Sequence, residues 1–161
     1  MLEVGLLSDE KLVHMAREAL QLRRYERACE FYKEYCERHF RKGKPVFASV
    51  LAAYGLALGH VGQPSEGLDL CLKALSLNQR SADVYWCLAG LYALSHSRKK
   101  AVDAIERGLR LSPDHAELNR LRAEIGFRHT PPIPFLSRDS AINVRLGKAI
   151  HKRRRKGKPA S

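Results

Sequence analysis

An internal repeat is the feature that most constrains what this chain can fold into. Residues 82–115 align with residues 48–81 at an offset of 34 positions, so that small residues meet small ones and large residues meet large ones. The coincident pairs are Leu75 and Leu109, Leu77 and Leu111, Gly55 and Ala89, Leu58 and Tyr92, Gly67 and Ala101, and Ala74 and Gly108. A period of this length with small residues at fixed points predicts paired helices that cross closely and stack into an array.

This repeat resembles the tetratricopeptide repeat family, whose pattern combines a large residue, Leu-Gly, Tyr, Ala, an aromatic, Ala and a closing Pro. In residues 82–115 the matching positions are Tyr85, Leu88, Ala89, Tyr92, Ala101, Ile105, Gly108 and Pro113. In residues 48–81 they are Leu51, Tyr54, Gly55, Leu58, Gly67, Cys71 and Ala74, with Gln79 in place of the proline. A weaker copy at 9–42 matches at Leu12, Met15, Ala16, Ala19, Tyr25, Ala28, Tyr32 and Tyr35. About five extra residues around RKGKP separate it from the second copy.

The resemblance implies an all-α chain, a tetratricopeptide-like helix-turn-helix solenoid followed by an extended segment and a basic amphipathic helix. The predicted parts are a lead-in at 1–8, a repeat domain at 9–128, a Pro-rich apolar connector at 129–139, and a basic amphipathic helix and tail at 140–161. In the third repeat we expect helices at about 82–95 and 98–111, because Pro113 cannot continue the second one. A capping helix is expected at 114–128, with Asp114 as its N-cap and Glu117 completing a capping box.

The resemblance also implies a concave groove lined by the first helix of each repeat. Carried over position by position, the lining residues are Val13, His14, Arg17, Gln21, Ser49, Ala52, Ala53, Leu56, His60, Asp83, Trp86, Cys87, Gly90 and Leu94. Family members that grip a C-terminal carboxylate present Lys, Asn and Arg here, whereas this chain has Ala52, Leu56, Trp86 and Gly90. A groove with a tryptophan is expected to take an extended, apolar or proline-containing peptide. The alternative is that Trp86 is packed between helices.

No sequence motif predicts catalysis, a cofactor or a metal. The chain has no HExxH, no GxSxG, no Gly-rich phosphate loop and no DxD cluster. Its four cysteines, Cys29, Cys36, Cys71 and Cys87, form no CxxC pair and no zinc-ligand spacing with histidine. We therefore expect small buried thiols in a reducing cytosol and a protein that is not an enzyme.

The connector is predicted to be a docking segment. Pro131, Pro132 and Pro134 enforce extended geometry. Ile133, Phe135 and Leu136 place three large apolar residues within four positions, and exposing them to water is unfavourable by about 25 cal/mol per Å². Three docking partners remain open: the chain's own groove, the groove of a second copy in a homodimer, and a different protein.

The C-terminal region carries most of the net charge of +12. From Arg128 to Ser161 there are ten Lys/Arg and a single acid, Asp139. An apolar stripe is formed by Ile142, Leu146 and Ile150. The six cations of the basic tail are Lys152, Arg153, Arg154, Arg155, Lys156 and Lys158. Such a tail suits nucleic-acid phosphates, an acidic protein, anionic lipid headgroups, an import signal or mere solubility, although no aromatic residue interleaves the cations to stack on bases.

The leading interpretation is a non-enzymatic scaffold that binds a peptide or partner protein in an apolar groove. The second interpretation is a nucleic-acid-associated protein whose tail supplies affinity while the repeats recruit partners. A third, a small secretion chaperone, is disfavoured because members of that class are typically acidic. The sequence shows no run of 18 apolar residues and no secretory signal, so we expect a cytoplasmic location, with peripheral membrane association left open.

Overall fold

A computed structural model describes residues 4–126 of the chain, and this part is entirely helical. Its elements are a short 3-10 helix at Val4–Leu6 and the α-helices α1 (Asp9–Gln21), α2 (Tyr25–Arg41), α3 (Ala48–His60), α4 (Pro64–Leu77), α5 (Ala82–Leu94), α6 (Arg98–Leu111) and α7 (Ala116–Ile125). The prediction of an all-α solenoid is confirmed. The connector and the basic tail lie outside the described residues.

The helices pack as consecutive pairs. Helix α1 packs on α2, α3 on α4, and α5 on α6, and the second helix of each pair also contacts the first helix of the next. The first helices form a row in which α3 lies closely against α5, whereas α1 touches α3 only sparingly. Residues 1–126 thereby form one compact unit with its own hydrophobic core.

Glycines set the closest helix contacts. A Cβ atom on Gly55 of α3 would lie 2.4 Å from the carbonyl oxygen of Gly67 on α4, and a Cβ on Gly67 would lie 2.3 Å from the oxygen of Gly55. Real Cβ atoms essentially never come so near, so only glycine at both positions allows the two backbones to meet. The paired small residues of the repeat therefore correspond to a direct backbone contact.

The N-terminal turn is held by one arginine. Arg38 of α2 donates from Nη2 to the carbonyl oxygen of Val4 at 2.9 Å, and from Nη1 to the carbonyl of Leu7. Its Nε bonds Glu34 at 2.6 Å, which fixes the guanidinium in place. Burial of Leu7 beside α2 closes the first pair at its N-terminal end.

The capping helix begins differently from the prediction. Helix α7 spans Ala116–Ile125, and its N-cap is His115 instead of Asp114. The Nδ1 atom of His115 accepts a hydrogen bond from the backbone N–H of Leu118 at 3.2 Å. Its Nε2 lies 3.1 Å from a carboxylate oxygen of Asp83 on α5. The predicted capping box at Asp114 and Glu117 is wrong because the imidazole satisfies the helix end and ties it to α5 at once.

None of the helices between residues 4 and 126 combines the length and apolarity needed to cross a bilayer.

Candidate functional site

The predicted groove residues fall on the surface formed by α1, α3 and α5, which we call the A-helix face. The structure divides the predicted set into three classes of exposure. His14, Arg17 and His60 are exposed, and Val13, Trp86 and Gly90 are half-buried. Ala52 and Leu56 are 0% and 5% exposed, so they are packing residues that offer no surface to a partner. The accessible part of the A-helix face therefore lies along α1 and α5 and at the end of α3.

The burial of Leu56 follows from how closely α3 approaches α5. A Cβ atom on Gly90 would lie 2.8 Å from Cδ1 of Leu56, so the leucine occupies the space above the glycine. In the opposite direction, a Cβ on Gly59 would lie 2.2 Å from Cδ2 of Leu91. Each helix thus inserts a leucine over a glycine of the other. This reciprocal packing closes the A-helix face between α3 and α5.

Trp86 is the largest apolar side chain on the accessible part of the face. It is half-buried, with one side packed against the core and the remainder open to solvent. Farther along the same helix, Leu94 is 38% exposed. The two alternatives for this tryptophan are therefore both partly realised, because the ring packs between helices and also presents area to solvent.

At the C-terminal end of α3, His60 stacks on Tyr25, the first residue of α2. The ring centroids are 3.8 Å apart and the planes are inclined by 3°. Partial burial, together with the positive charge of Arg23, lowers the pKa of His60 below its usual value. The imidazole is held in its neutral form and makes a flat, weakly polar surface. Sequence reasoning missed Tyr25 as a member of the face because the repeat pattern assigns it only to packing.

Arg17 is the exposed cation in the middle of α1. Its positive charge acts on the hydroxyl of Tyr32 on α2 and on the thiol of Cys87 on α5, so side chains of three helices meet there. Among the described residues, no carboxylate lies within 4.0 Å of this guanidinium. Burial, the largest cause, raises the pKa of Tyr32, so the phenol stays protonated. Sequence reasoning selected Arg17 but had no signal for Tyr32, which the repeat pattern places in the core.

The cysteines show no sign of reactive chemistry. Cys71 and Cys87 are buried, as expected, whereas Cys29 and Cys36 are only partly buried, and all four are free thiols. Burial raises the pKa of Cys29 and Cys36 to about 11 and that of Cys71 to about 12. At neutral pH these groups stay protonated and are weak nucleophiles. Within residues 4–126, no three His, Cys, Asp or Glu side chains are grouped so as to hold a metal ion.

A second apolar surface lies at the boundary between the first two repeats. Phe40 and Phe47 are 87% and 70% exposed. Between them run Arg41, Lys42 and Lys44, the inserted stretch that separates the first repeat from the second. This surface is formed by the end of α2 and the loop to α3, so it is distinct from the A-helix face.

Comparisons with known proteins bear on the fold. No family model matches the sequence, and no curated protein matches it. The structure is similar to the TPR domain of Arabidopsis OM64, with a TM-score of 0.57 and 14% identity over 73% of this chain and 93% of that one. It is also similar to the Sgt2 TPR domain from Aspergillus fumigatus, with a TM-score of 0.58 and 14% identity over 95% of this chain and 85% of that one.

A third similar structure carries a ligand. The second TPR domain of human RPAP3, solved in complex with the HSP70 peptide SGPTIEEVD, has a TM-score of 0.53 and 15% identity over 75% of this chain and 100% of that one. Identities this low establish the fold and nothing finer. The described helices have the tetratricopeptide-repeat fold, and the expected resemblance is confirmed at that level.

Proposed function

We propose that this chain, which has the tetratricopeptide-repeat fold, is a non-enzymatic interaction scaffold that holds an extended segment of a protein on its A-helix face. The observation that carries the proposal is the half-buried Trp86, which presents apolar area on α5 while the exposed Arg17 and His60 lie on the other helices of the face. A large aromatic group that is partly desolvated and flanked by polar groups is typical of a binding anchor.

The chemistry of the face selects an apolar segment in an extended conformation. Gly90 leaves the backbone of α5 uncovered except where Leu56 packs on it. Trp86 and the 38% exposed Leu94 provide apolar contact area on either side of it. An extended chain with alternating large residues buries such area without needing a deep pocket.

The similar RPAP3 domain shows that this fold can hold a peptide. Proteins of this fold that grip a C-terminal carboxylate use Lys, Asn and Arg on the first helices, and here Ala52, Leu56, Trp86 and Gly90 stand at those positions. This difference supports an apolar ligand for the present chain in place of the acidic tail of a chaperone.

The connector of this chain is the occupant that we propose. Ile133, Phe135 and Leu136 provide the apolar side chains, and the prolines around them favour the extended backbone that the face requires. Docking within one chain would occlude the face, whereas docking between chains would produce a dimer. Both arrangements use the same contacts, and the hydrodynamic mass separates them.

The test uses the single tryptophan of the chain as its reporter. A peptide of residues 130–141, acetylated and amidated, is titrated into protein ending at Gly126 while Trp86 emission is followed. Saturable binding with a blue shift is expected, because the peptide removes water from the indole. Replacing Phe135 and Leu136 of the peptide by Ser is expected to abolish the shift. An unchanged spectrum at millimolar peptide contradicts the proposed occupant.

A matched pair of variants, read by calorimetry, locates the site. Trp86→Ala is expected to weaken peptide binding at least about tenfold, since aromatic anchors commonly contribute 2 kcal/mol or more. Leu77→Ala, which removes an apolar side chain that is 59% exposed on α4, is expected to leave binding unchanged. Equal losses in the two variants would place the peptide elsewhere.

Light scattering coupled to size exclusion then compares the full chain with the protein ending at Gly126. A dimer that becomes a monomer on truncation indicates docking between chains. Monomers in both cases, with peptide binding seen only after truncation, indicate docking within the chain. The nucleic-acid interpretation depends on the tail at 152–158 and stays a prediction of the sequence, tested by salt-dependent binding that is lost when the tail is deleted.

A further inference from the structure

The hydroxyl of Tyr32 is the one buried side-chain polar atom without a hydrogen-bond partner among residues 4–126. The side chain is 1% exposed, so solvent does not reach the oxygen. A buried hydroxyl left unpaired costs about 1–3 kcal/mol, and most buried polar groups avoid this cost. A Phe at this position would fill the same space without the cost.

The other repeats show that packing does not require a hydroxyl here. The equivalent positions in the second and third repeats are Cys71 and Ile105, and both are 0% exposed. These side chains fill the same place between two helices with no oxygen to satisfy. The hydroxyl of Tyr32 is therefore peculiar to the first repeat, which is also the repeat that supplies Arg17.

The groups around the hydroxyl are hydrogen-bond donors. Arg17, whose charge acts on the hydroxyl, offers guanidinium N–H groups and, in the described part of the chain, has no carboxylate partner. The protonated phenol of Tyr32 offers an O–H, and the neutral thiol of Cys87 is a weak donor. A cluster that holds one positive charge and several donors is complementary to a carboxylate, which accepts up to four hydrogen bonds and prefers charged donors.

We propose that Arg17 and Tyr32 form a carboxylate-binding point that receives an acidic side chain of the segment lying on the A-helix face. This inference rests on the proposed function and adds to it a polar requirement for the ligand. Arg17 is exposed and its side chain is flexible, so it can move aside from the hydroxyl and then close over the incoming carboxylate.

The connector supplies one candidate for that carboxylate. Asp139 is the only acidic residue between Arg128 and Ser161. It follows Leu136 by three residues, and three residues of extended chain span about 10 Å. Neighbouring packed helices lie about 8–10 Å apart, axis to axis. A segment whose apolar residues contact Trp86 can therefore bring Asp139 to the side chains contributed by the adjacent helices.

The first test compares two peptides of residues 130–141, both acetylated and amidated so that no terminal carboxylate competes. One has the natural sequence and the other carries Asp139→Asn. They are titrated into protein ending at Gly126, which retains the compact unit, and Trp86 emission is followed. The Asn peptide is expected to bind about tenfold or more weakly, which is the usual effect of losing a charged hydrogen-bond partner.

Variants of the protein complete the cycle. Arg17→Gln and Tyr32→Phe are each expected to reduce binding of the Asp peptide toward the level of the Asn peptide and to leave the Asn peptide unaffected. Lys11→Gln, which removes an exposed charge from the same helix, serves as the control and is expected to change neither affinity.

The outcomes separate this inference from the proposed function. Equal affinity of the two peptides leaves the proposed function standing and overturns the carboxylate-binding point. Absence of binding by either peptide overturns both. The free protein provides an independent arm, because Tyr32→Phe is expected to leave its melting temperature unchanged or raised. A fall in melting temperature would show that the hydroxyl is already paired, for example by a buried water, and would also overturn the inference.

Discussion

Replacing Gly55 by Ala would drive a methyl group into the backbone of the neighbouring helix. The new Cβ would lie 2.4 Å from the carbonyl oxygen of Gly67 and 3.0 Å from Sγ of Cys71, whereas ordinary contact begins at 3.4 Å. The oxygen belongs to a helix backbone and cannot rotate away. Helices α3 and α4 must therefore separate by about 1 Å, a gap that forfeits a quarter to a half of the dispersion energy of each contact it opens.

The magnitude follows from two opposing effects. Overpacking a core costs about 1–3 kcal/mol, and a contact with backbone belongs at the upper end of that range. Alanine returns about 1 kcal/mol because it is a better helix former than glycine. The net loss is about 2 kcal/mol, which corresponds to a fall in melting temperature of about 8 °C for a domain of this size. Circular dichroism during urea and thermal unfolding measures both quantities.

Gly90→Ala is the matched control. Its Cβ would lie 2.8 Å from Cδ1 of Leu56, the mobile end of a side chain that can change rotamer. The gain in helix propensity should then offset most of the strain, so we expect a change within about 1 kcal/mol. Gly67→Ala should cost as much as Gly55→Ala, and the double variant should cost less than their sum because one separation accommodates both methyl groups. Equal losses at Gly55 and Gly90, or strict additivity of Gly55 and Gly67, would refute the reasoning.

Three further predictions concern single side chains. His115→Ala removes the cap of α7 and its bond to α5, so the free energy of unfolding should fall by about 1–2 kcal/mol; a change below 0.3 kcal/mol in urea denaturation would contradict the observed cap. Arg38→Met frees the carbonyls at the N-terminal turn and should cost about 2 kcal/mol, with faster hydrogen exchange confined to that turn. Because the pKa of His60 is lowered from 6.5 in the folded state, the unfolded chain takes up the proton first, and stability is lost as pH falls from 7 toward the folded pKa. His60→Phe should remove that part of the pH dependence while keeping the stack on Tyr25; identical loss between pH 7.5 and 5.5 in both proteins would exclude His60 as its source.

A scaffold of this kind has one accessible binding face and a second exposed apolar surface. The A-helix face holds the tryptophan and the unpaired Arg17, whereas Phe40 and Phe47 stand on the loop that the first repeat adds. Because the two surfaces belong to different elements, substitutions at Phe40 and Phe47 provide a check on specificity. Their replacement by Ser should leave peptide binding at Trp86 unchanged.

The sequence by itself determined the repeating units of the fold. The 34-residue offset and its small residues located the helix pairs, and the second helix of the third repeat spans Arg98–Leu111 as predicted. The first helix ends at Leu94, one residue before the predicted boundary. These features are readable because helix formation, helix breaking by proline and the need for glycine at close crossings are local properties of the chain.

Only the tertiary structure decided which repeat positions are open to a partner. Leu56 occupies a position that lines the groove in the family, yet it is buried, because a glycine on the next helix lets α3 and α5 approach closely. Tyr32 occupies an ordinary core position, yet its hydroxyl faces Arg17 of another helix and has no partner. Exposure and polar pairing depend on residues brought from distant repeats, and a periodic pattern carries no information on the distance between two helices or on which side chains meet across it.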